Sequence, residues 1–337
     1  MKNKMTDLYT EYTNIDFSKL KDKKILITGA SGLLGVHLLS SLKSVHKKYN
    51  ITIYTWNKNN NNLFDELFKD CVKIVCDITD INNFENLPKF DYIIHSSGYG
   101  QPIKFLTDKL RTIEINTLST IKLFEKLKDD GTFLFVSSSE IYNGLYDYGV
   151  TEDKIGTTNT EHPRASYIEG KRCGETICNI YREMGINVKI VRLSLTYGPG
   201  TQLGDTRVIN SLIDKSLKND IIELVDNGSS VRTFCYVSDA IEMIWNVFFN
   251  GKEFIYNIGG VDTFTILELA EKIGKITNKK ISQPKVNNEL VGNSKFVNLS
   301  INKYNNEFGK KEFIPIDMGL LKTINWQKKL NEIDERN

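Results

Sequence analysis

The chain has 337 residues, of which 40% are hydrophobic and 26% are charged, and its formal net charge is +2. This length suits one large domain or two closely packed ones, and the small net charge argues against a nucleic-acid partner. No apolar run approaches the roughly 20 residues that span a bilayer, and residues 1–7 lack the apolar core of a secretory signal, so we expect a cytoplasmic protein without a membrane partner.

Short apolar strands alternate with helical segments through the first 195 residues. Helical spacing of apolar residues marks segments 36–42 and 110–127 between the strands. This alternation predicts an α/β fold with a doubly wound parallel sheet, that is, a Rossmann fold. The predicted strands cover residues 24–28, 51–54, 72–75, 92–95, 132–137 and 188–193.

A glycine-rich loop follows the first strand directly and opens the first helix. Its glycines, Gly29, Gly32 and Gly35, have the spacing GxxGxxG. Glycines there allow a tight turn and a close approach of backbone N–H groups to a pyrophosphate, to which the helix N-terminus adds its positive end. The loop therefore predicts a dinucleotide site. Its predicted contacts are Gly29, Ser31, Gly32, Leu33, Leu34 and Gly35.

The ends of the next strands supply further candidate cofactor contacts. The second strand ends at Asn57 and Lys58 without the carboxylate that usually binds the ribose of NAD. Lys58 either pairs with the 2′-phosphate of NADP or is a solvated loop lysine. Asp77, followed by Ile78, ends the third strand and either bonds the adenine or caps a helix. Ser96, after the fourth strand, completes the predicted cofactor set.

A serine cluster follows the strand at 132–137. Ser138 lies at the carboxyl edge of the sheet, where ligands bind in such folds, and its hydroxyl is placed to hold a reacting hydroxyl. Ser139 is a candidate substrate contact. Glu140 is either a second acid or base, or a carboxylate at a helix start.

Tyr167 and Lys171 are the most informative pair of residues. Residues four apart share one face of a helix, so Lys171 lies beside Tyr167. An ammonium next to a phenol favours the phenolate, and the spacing therefore predicts a lowered pKa for Tyr167. Such a phenol suits the removal of a proton from an alcohol near neutral pH.

The pattern becomes less regular after residue 195 and predicts a smaller C-terminal α/β substrate domain. We assign residues 1–195, with a returning segment near 233–258, to the dinucleotide-binding domain, and residues 196–232 and 259–337 to the substrate-binding domain. Arg207 and Arg232 are candidates to bind a diphosphate through forked donors, with a surface ion pair as the alternative for Arg232. The five cysteines show no metal-type clustering and predict reduced thiols without a metal site.

Taken together, these motifs resemble those of extended short-chain dehydrogenases/reductases of the nucleotide-sugar epimerase/dehydratase family. The resemblance runs from about Lys24 to about Trp326. It implies that Tyr167 deprotonates the sugar C4 hydroxyl while hydride leaves C4 for NAD, with NADP as the alternative. Ser138 would orient that hydroxyl, and Lys171 would hold the cofactor ribose. The motifs lie at 29–35, 76–78, 95–98, 137–142, 167–171, 197–199 and 232–239.

The resemblance leaves the subclass open. Segments 139–140 and 167–172 are similar to those of UDP-glucuronate decarboxylases, whereas Leu195 stands where those enzymes usually carry asparagine, and 295–298 contains no arginine. Ser139 replaces the aspartate of 4,6-dehydratases. A 4-epimerase needs only Ser138, Tyr167 and Lys171, so this is the subclass that we favour. Decarboxylation, dehydration and NADPH-dependent reduction of a 4-ketosugar are the alternatives.

The resemblance also implies partners. The substrate would be a nucleotide sugar, and the product would serve polysaccharide biosynthesis. Helices at 110–127 and 168–182 would pair with a second copy to form a four-helix bundle, so a homodimer is expected.

Overall fold

The computed structural model describes residues 8, 12–59, 62–284, 292 and 294–334. Within them, the strands are β1 (Lys24–Thr28), β2 (Thr52–Asn57), β3 (Val72–Val75), β4 (Phe90–His95), β5 (Leu127–Ser138), β6 (Asn187–Leu193), β7 (Leu195–Tyr197), β8 (Ile221–Glu223), β9 (Val231–Tyr236), β10 (Ile255–Ile258), β11 (Asp262–Thr265), β12 (Lys280–Ser282) and β13 (Phe296–Val297). The α-helices are α1 (Leu33–Lys43), α2 (Asp65–Phe68), α3 (Pro102–Thr107), α4 (Lys109–Asn116), α5 (Leu118–Phe124), α6 (Ala165–Glu183), α7 (Val208–Lys218), α8 (Val237–Asn250), α9 (Ile266–Thr277), α10 (Asn302–Phe308) and α11 (Ile316–Asp334).

Seven parallel strands form the large sheet, in the order β10-β6-β5-β4-β1-β2-β3. The predicted doubly wound parallel sheet is therefore confirmed. The strand order reverses beside β1, where β2 and β3 continue on one side and β4 to β6 on the other. In such sheets, ligands bind outside the carboxyl ends of the strands at this reversal. The topology thus places a binding crevice next to the glycine-rich loop.

Side chains from each central strand feed two hydrophobic cores on opposite faces of the large sheet. Ile25 and Ile27 of β1 belong to the core that includes α1 and α8, whereas Leu26 belongs to the core that includes α4, α5 and α6. All three side chains are fully buried. Burial on both faces explains why these strands are continuous apolar runs rather than alternating patterns.

A second, four-stranded sheet lies beyond the large one. β9 is its centre and pairs with β11 antiparallel and with β7 and β13 in parallel. β8 and β12 form a separate parallel pair. The segment near 233–258 is shared between the sheets, because β9 belongs to the second sheet and β10 to the large one. The division into two domains with the boundaries given above stays a prediction.

The predicted helix over 110–127 is wrong at its carboxyl end. α4 and α5 are separate at Thr117, whose φ of −114° and ψ of −76° depart from helical values and whose N–H is shared between two carbonyls, those of Ile113 and Glu114. Leu127 already belongs to β5, where it pairs with Phe90 of β4. Pairing with a neighbouring strand thus overrides the helical spacing of the apolar residues.

Candidate active site

Two adjoining cavities open at the carboxyl edge of the large sheet. The first, here called the glycine-loop cleft, has a volume of about 550 Å³ and lies between the loop at 29–35 and the ends of β2, β3 and β4. The second, here called the tyrosine cavity, has a volume of about 680 Å³ and lies between Tyr167 of α6 and the second sheet. The two share lining residues Leu33, Leu34, Ser96, Gly98, Gly100 and Arg207, so a molecule in one can touch a molecule in the other.

The glycine-rich loop fits a pyrophosphate for three separate reasons. Gly29 has a φ of +66°, and a Cβ there would lie 2.9 Å from the Ser96 carbonyl oxygen. A Cβ at Gly35 would lie 2.4 Å from the Ala30 Cα, so α1 packs directly on the loop. A Cβ at Gly32 would approach only the Gly29 carbonyl oxygen, at 3.3 Å, so this glycine keeps the cleft open. α1 begins there and directs its N-terminus at the cleft.

Asn57 and Lys58 line the cleft but are already paired. The Asn57 Oδ1 accepts the Ser31 N–H at 2.8 Å, which holds the loop in place. The Lys58 Nζ lies 3.7 Å from the Asp77 carboxylate, and Arg111 Nη1 lies 2.7 Å from the same group. Sequence reasoning missed Arg111, which lies on α4, because nothing local connects it with the end of β3.

Asp77 is ionised in this arrangement. Burial would raise its pKa, but hydrogen bonds from the Thr79 N–H and hydroxyl and the charges of Arg111 and Lys58 outweigh it and hold the pKa below the usual value. Ile78 and Ser96 line the same cleft. The cofactor residues predicted in the glycine-rich loop and at the ends of β2, β3 and β4 are therefore gathered around one crevice, whereas Tyr167 and Lys171, also predicted to contact the cofactor, line the adjoining tyrosine cavity.

Ser138, Tyr167 and Lys171 all line the tyrosine cavity. Tyr167 is buried, stacks on Phe105 with a centroid separation of 4.7 Å and lies beside Ser138, whose hydroxyl opposes the effect of burial on the Tyr167 pKa. The Lys171 Nζ donates to the Val136 carbonyl oxygen at 2.7 Å and lies 5.9 Å from the Tyr167 ring centroid. A hydroxyl, a phenol and an amine thus converge in the tyrosine cavity, and a Cβ at Gly98, which lines both cavities, would lie 3.5 Å from the Lys171 Nζ.

The predicted lowering of the Tyr167 pKa by Lys171 is wrong, because burial dominates. Burial raises the pKa of Tyr167 above its usual value, although the hydrogen bond with Ser138 and the charges of Arg164 and Arg207 oppose the increase. Burial also lowers the pKa of Lys171 to about 7, with the charge of Glu175 acting against it. A half-neutral amine has little charge with which to favour a phenolate.

Glu140 is both a helix-start residue and one partner of an ion pair. It lies in the first turn of the 3-10 helix Ser139–Tyr142, and its carboxylate accepts a hydrogen bond of 2.6 Å from Arg164. Arg164 directly precedes α6 and lies over the Phe105 ring at 5.5 Å. Sequence reasoning missed Arg164, although its position three residues before Tyr167 was a usable signal. Ser139 is buried beside this pair and lines the cavity.

Both predicted substrate arginines line the tyrosine cavity. Arg207, just before α7, forms an ion pair of 2.5 Å with the buried Asp205. Arg232 is buried and donates to the carbonyl oxygens of Val231, at 2.7 Å, and Ser294. Burial lowers the pKa of Arg232 to about 10. Arg232 is thus a fixed cation in the cavity wall, which suits a phosphate-bearing ligand, whereas the charge of Arg207 is paired with Asp205.

No group of three or more His, Cys, Asp or Glu side chains in the described part of the chain is arranged to hold a metal ion. Across the same residues, no helix has the length and apolar character needed to cross a membrane.

Comparison of the sequence with protein families and curated proteins gives consistent matches. The model of the NAD dependent epimerase/dehydratase family matches residues 25–259. UDP-glucuronic acid decarboxylase 6 of Arabidopsis thaliana is 30% identical over 284 residues, which cover 80% of this chain and 78% of the plant protein.

Comparison with solved structures supports the fold. An epimerase of Methanothermobacter thermautotrophicus superposes with a TM-score of 0.83 at 17% identity and covers 99% of this chain and 98% of that protein. The UDP-glucuronic acid 4-epimerase of Bacillus cereus, solved with UDP-glucuronic acid and NAD, has a TM-score of 0.76 at 22% identity and covers 91% of this chain and 99% of its own.

Proposed function

Because the chain belongs to the NAD-dependent epimerase/dehydratase family of enzymes, we propose that it oxidises a nucleotide-linked uronic acid at C4 and then decarboxylates it. The observation that carries this proposal is the convergence of Ser138, Tyr167 and Lys171 in the tyrosine cavity, which adjoins the glycine-loop cleft. Each of these residues has a defined part in moving a proton at a sugar hydroxyl.

The residues of the glycine-loop cleft suit NAD. The loop and the α1 N-terminus would hold the pyrophosphate, Asp77 would bond the adenine, and Lys171 would bond the nicotinamide ribose. Bound NAD supplies a hydride acceptor that can later return the hydride to the sugar. Lys58 supports NAD rather than NADP, because its ammonium already faces Asp77.

Proton transfer at C4 is the task of the cavity residues. Tyr167 takes the proton of the C4 hydroxyl, and Ser138 holds that hydroxyl by a hydrogen bond. Because burial raises the pKa of Tyr167, the resting phenol is protonated at neutral pH, and deprotonation depends on the positive charges brought to the cavity. Arg164 and Arg207 act on the Tyr167 pKa in that direction.

Decarboxylation follows from the C4 ketone. A carboxylate on C5 next to a C4 ketone is a β-keto acid, so its C–C bond breaks and the electron pair moves into the ketone as CO2 leaves. A proton then adds to C5 and the hydride returns to C4. The decarboxylase relatives support this choice.

A 4-epimerase of the same substrate class is the second candidate. Ser139 lacks the carboxyl group that assists a leaving group at C6, and Leu195 lacks the amide that decarboxylases usually carry there. Epimerisation is compatible with both Ser139 and Leu195, because it needs only Ser138, Tyr167 and Lys171 and space for the ketosugar to turn.

The first experiment is mass spectrometry of the small molecules released when the purified protein is denatured. Retained NAD is the expected result, and retained NADP, or NADPH consumed in equal amount with a ketosugar, would favour the reductase instead. Incubation with UDP-glucuronic acid then separates the candidates by NMR. A UDP-pentose with CO2 indicates decarboxylation, whereas UDP-galacturonic acid indicates epimerisation. No conversion across a broad nucleotide-sugar panel would contradict C4 oxidation altogether.

We further propose that two copies pair through α4, α5 and α6. Large apolar side chains on these helices are exposed, although their neighbours in the fold pack against the large sheet. A second copy is the natural cover for such a face, because self-complementary surfaces of this kind form two-fold dimers. The exposed residues are Leu110, Ile113, Leu118, Ile121 and Ile180.

A further inference from the structure

A buried carboxylate lies one helical turn beyond Lys171. Tyr167, Lys171 and Glu175 follow one another at intervals of four residues on α6, so they form one line along the helix face that packs on β5. All three side chains are buried. Tyr167 and Lys171 line the tyrosine cavity, whereas Glu175 does not, so a contact with the substrate does not explain Glu175.

Two neighbouring strands hold the Glu175 carboxylate in place. The Ser137 hydroxyl on β5 donates to its Oε1 at 2.5 Å. Arg192 on β6 donates through Nη2 to Oε2 at 2.7 Å and through Nε to Oε1 at 3.0 Å. This forked geometry is the strong form of an ion pair. The carboxylate is therefore paired on both oxygens and fixed in orientation.

Arg192 is itself anchored on its far side. Its Nη1 donates to the Tyr142 hydroxyl at 2.9 Å and to the Glu152 carbonyl oxygen at 2.8 Å. The Tyr142 hydroxyl in turn donates to Asn257 of β10 at 2.7 Å. Because every element of this network is buried, neither Arg192 nor Glu175 can move without breaking several hydrogen bonds.

Glu175 supplies the negative charge that acts on Lys171, because the other titratable groups around Lys171 are neutral. His95 of β4 is buried and neutral, since burial and the Lys171 charge lower its pKa to about 3. Cys178 on α6 is also neutral, because burial raises its thiol pKa, and Tyr167 is a neutral phenol. Among the described residues, Glu175 is the carboxylate that opposes the effect of burial on Lys171. Without it, Lys171 and Arg192 would be two buried cations with no counter-charge between them.

We propose that Glu175, fixed by Arg192 and Ser137, is a positioning residue that favours the charged form of Lys171 and keeps its amine directed into the tyrosine cavity. Arg192 acts through Glu175 and has no contact with the reacting atoms. This inference rests on the proposed function for the use made of Lys171, but the charge on Lys171 is measurable without any substrate.

The test is an NMR titration of Lys171 in protein labelled with ¹³C at the lysine Cε, with the resonance assigned by its loss in Lys171→Arg. Two variants separate charge from shape. Glu175→Gln keeps the shape and removes the charge, and we expect the Lys171 midpoint to fall by about one pH unit or more. Glu175→Asp keeps the charge on a shorter side chain, and we expect its midpoint within about half a unit of the wild type. Glu183→Gln, at the exposed end of α6, is the matched control and should not shift it.

A packing role for Glu175 predicts the opposite order, with the shortened Asp variant more disturbed than the Gln variant, and this result would overturn the proposal. An unchanged midpoint in Glu175→Gln would do the same. If Glu175→Gln does not fold, Glu175→Asp still tests the idea, because a Lys171 midpoint that moves by more than about half a unit in that variant would refute it. If the Lys171 midpoint shifts as expected in Glu175→Gln but the wild-type protein oxidises no sugar at C4, only the proposed function is contradicted.

Discussion

Burial controls the proton chemistry at the centre of the tyrosine cavity. It raises the pKa of Tyr167 and lowers the pKa of Lys171 to about 7, so each group moves toward its neutral form. The nearby charges of Arg164, Arg207 and Glu175 work against this effect. The outcome of this balance is a Tyr167 phenol that is protonated at neutral pH.

We expect Tyr167→Phe to lower turnover by at least about 100-fold, because the variant lacks the phenol that takes the C4 proton. The ring and its stacking on Phe105 remain, so NAD content and thermal stability should change little. Steady-state kinetics on the nucleotide sugar, with mass spectrometry of released NAD, measures both effects. Tyr146→Phe, at an exposed tyrosine, is the matched control. Wild-type turnover in Tyr167→Phe would show that another group is the base.

His37 makes stability depend on pH. It is buried on α1 and bonds the Pro199 carbonyl oxygen at 2.8 Å, and burial lowers its pKa from 6.5 to about 4. As the pH falls, His37 therefore takes up a proton in the unfolded chain at a higher pH than in the folded protein. The contribution of neutral His37 to the free energy of unfolding is complete above about pH 6.5 and is lost as the pH falls toward 4. The loss is about 1.4 kcal/mol per pH unit in that window.

We expect His37→Gln to lose stability less steeply than the wild type between pH 6.5 and 4, because its amide can donate to Pro199 without titrating. Urea unfolding at several pH values measures the free energy of unfolding for both proteins. His95 remains in both and continues to destabilise in acid, since its pKa is lowered to about 3. Parallel slopes for the two proteins would mean that His37 is protonated in the folded state.

At the scale of elements, the first β-α unit builds the glycine-loop cleft, and α6 carries Tyr167 and Lys171, the proposed catalytic pair. The loop between β1 and α1 combines one glycine that opens the cleft with another that lets α1 touch the loop. α6 carries Tyr167, Lys171 and Glu175 at intervals of four, so one helix sets their mutual spacing while β5 and β6 fix their orientation.

The two glycines should respond differently to alanine. Gly35→Ala puts a Cβ against backbone atoms of Ala30 and Gly29, so we expect it to lower the free energy of unfolding by about 1–3 kcal/mol. Gly32→Ala meets only one atom, so we expect it to change stability by less than about 1 kcal/mol and to weaken NAD binding about tenfold or more. Urea unfolding and calorimetric titration with NAD separate the effects, and equal stability losses would contradict the geometry of the loop.

At the scale of the molecule, the large sheet brings residues more than 100 positions apart to one edge. Leu33 and Ser138, which are 105 positions apart, both line the cavity of Tyr167, and Arg207 and Arg232 reach the same cavity from later segments. The second sheet forms the far wall of this cavity. On the outside of the molecule, α4, α5 and α6 leave large apolar side chains exposed. The site and the proposed dimer contact therefore use two faces of the same helical layer.

We expect Ile113→Asp combined with Ile121→Asp to convert a dimer into monomers, because two charges would be buried in the paired helices. Light scattering on a sizing column should give twice 38.5 kDa for the wild type and one such mass for the variant. Val261→Asp, at another exposed apolar residue, should leave the dimer intact. A monomeric wild type at micromolar concentration would contradict the pairing.

Patterns within single strands, helices and loops were enough to predict much of the fold and of the candidate site from the sequence. The glycine spacing, the alternation of strands and helices, and the interval between Tyr167 and Lys171 follow from local geometry, so they predicted the sheet, the family and the main candidate residues. The tertiary structure decided which distant side chains pair, as with Arg164 and Glu140, and how deeply Tyr167 is buried. Pairing and burial depend on the packing of segments far apart in the chain. For that reason the sign of the Tyr167 pKa shift could not be read from the sequence.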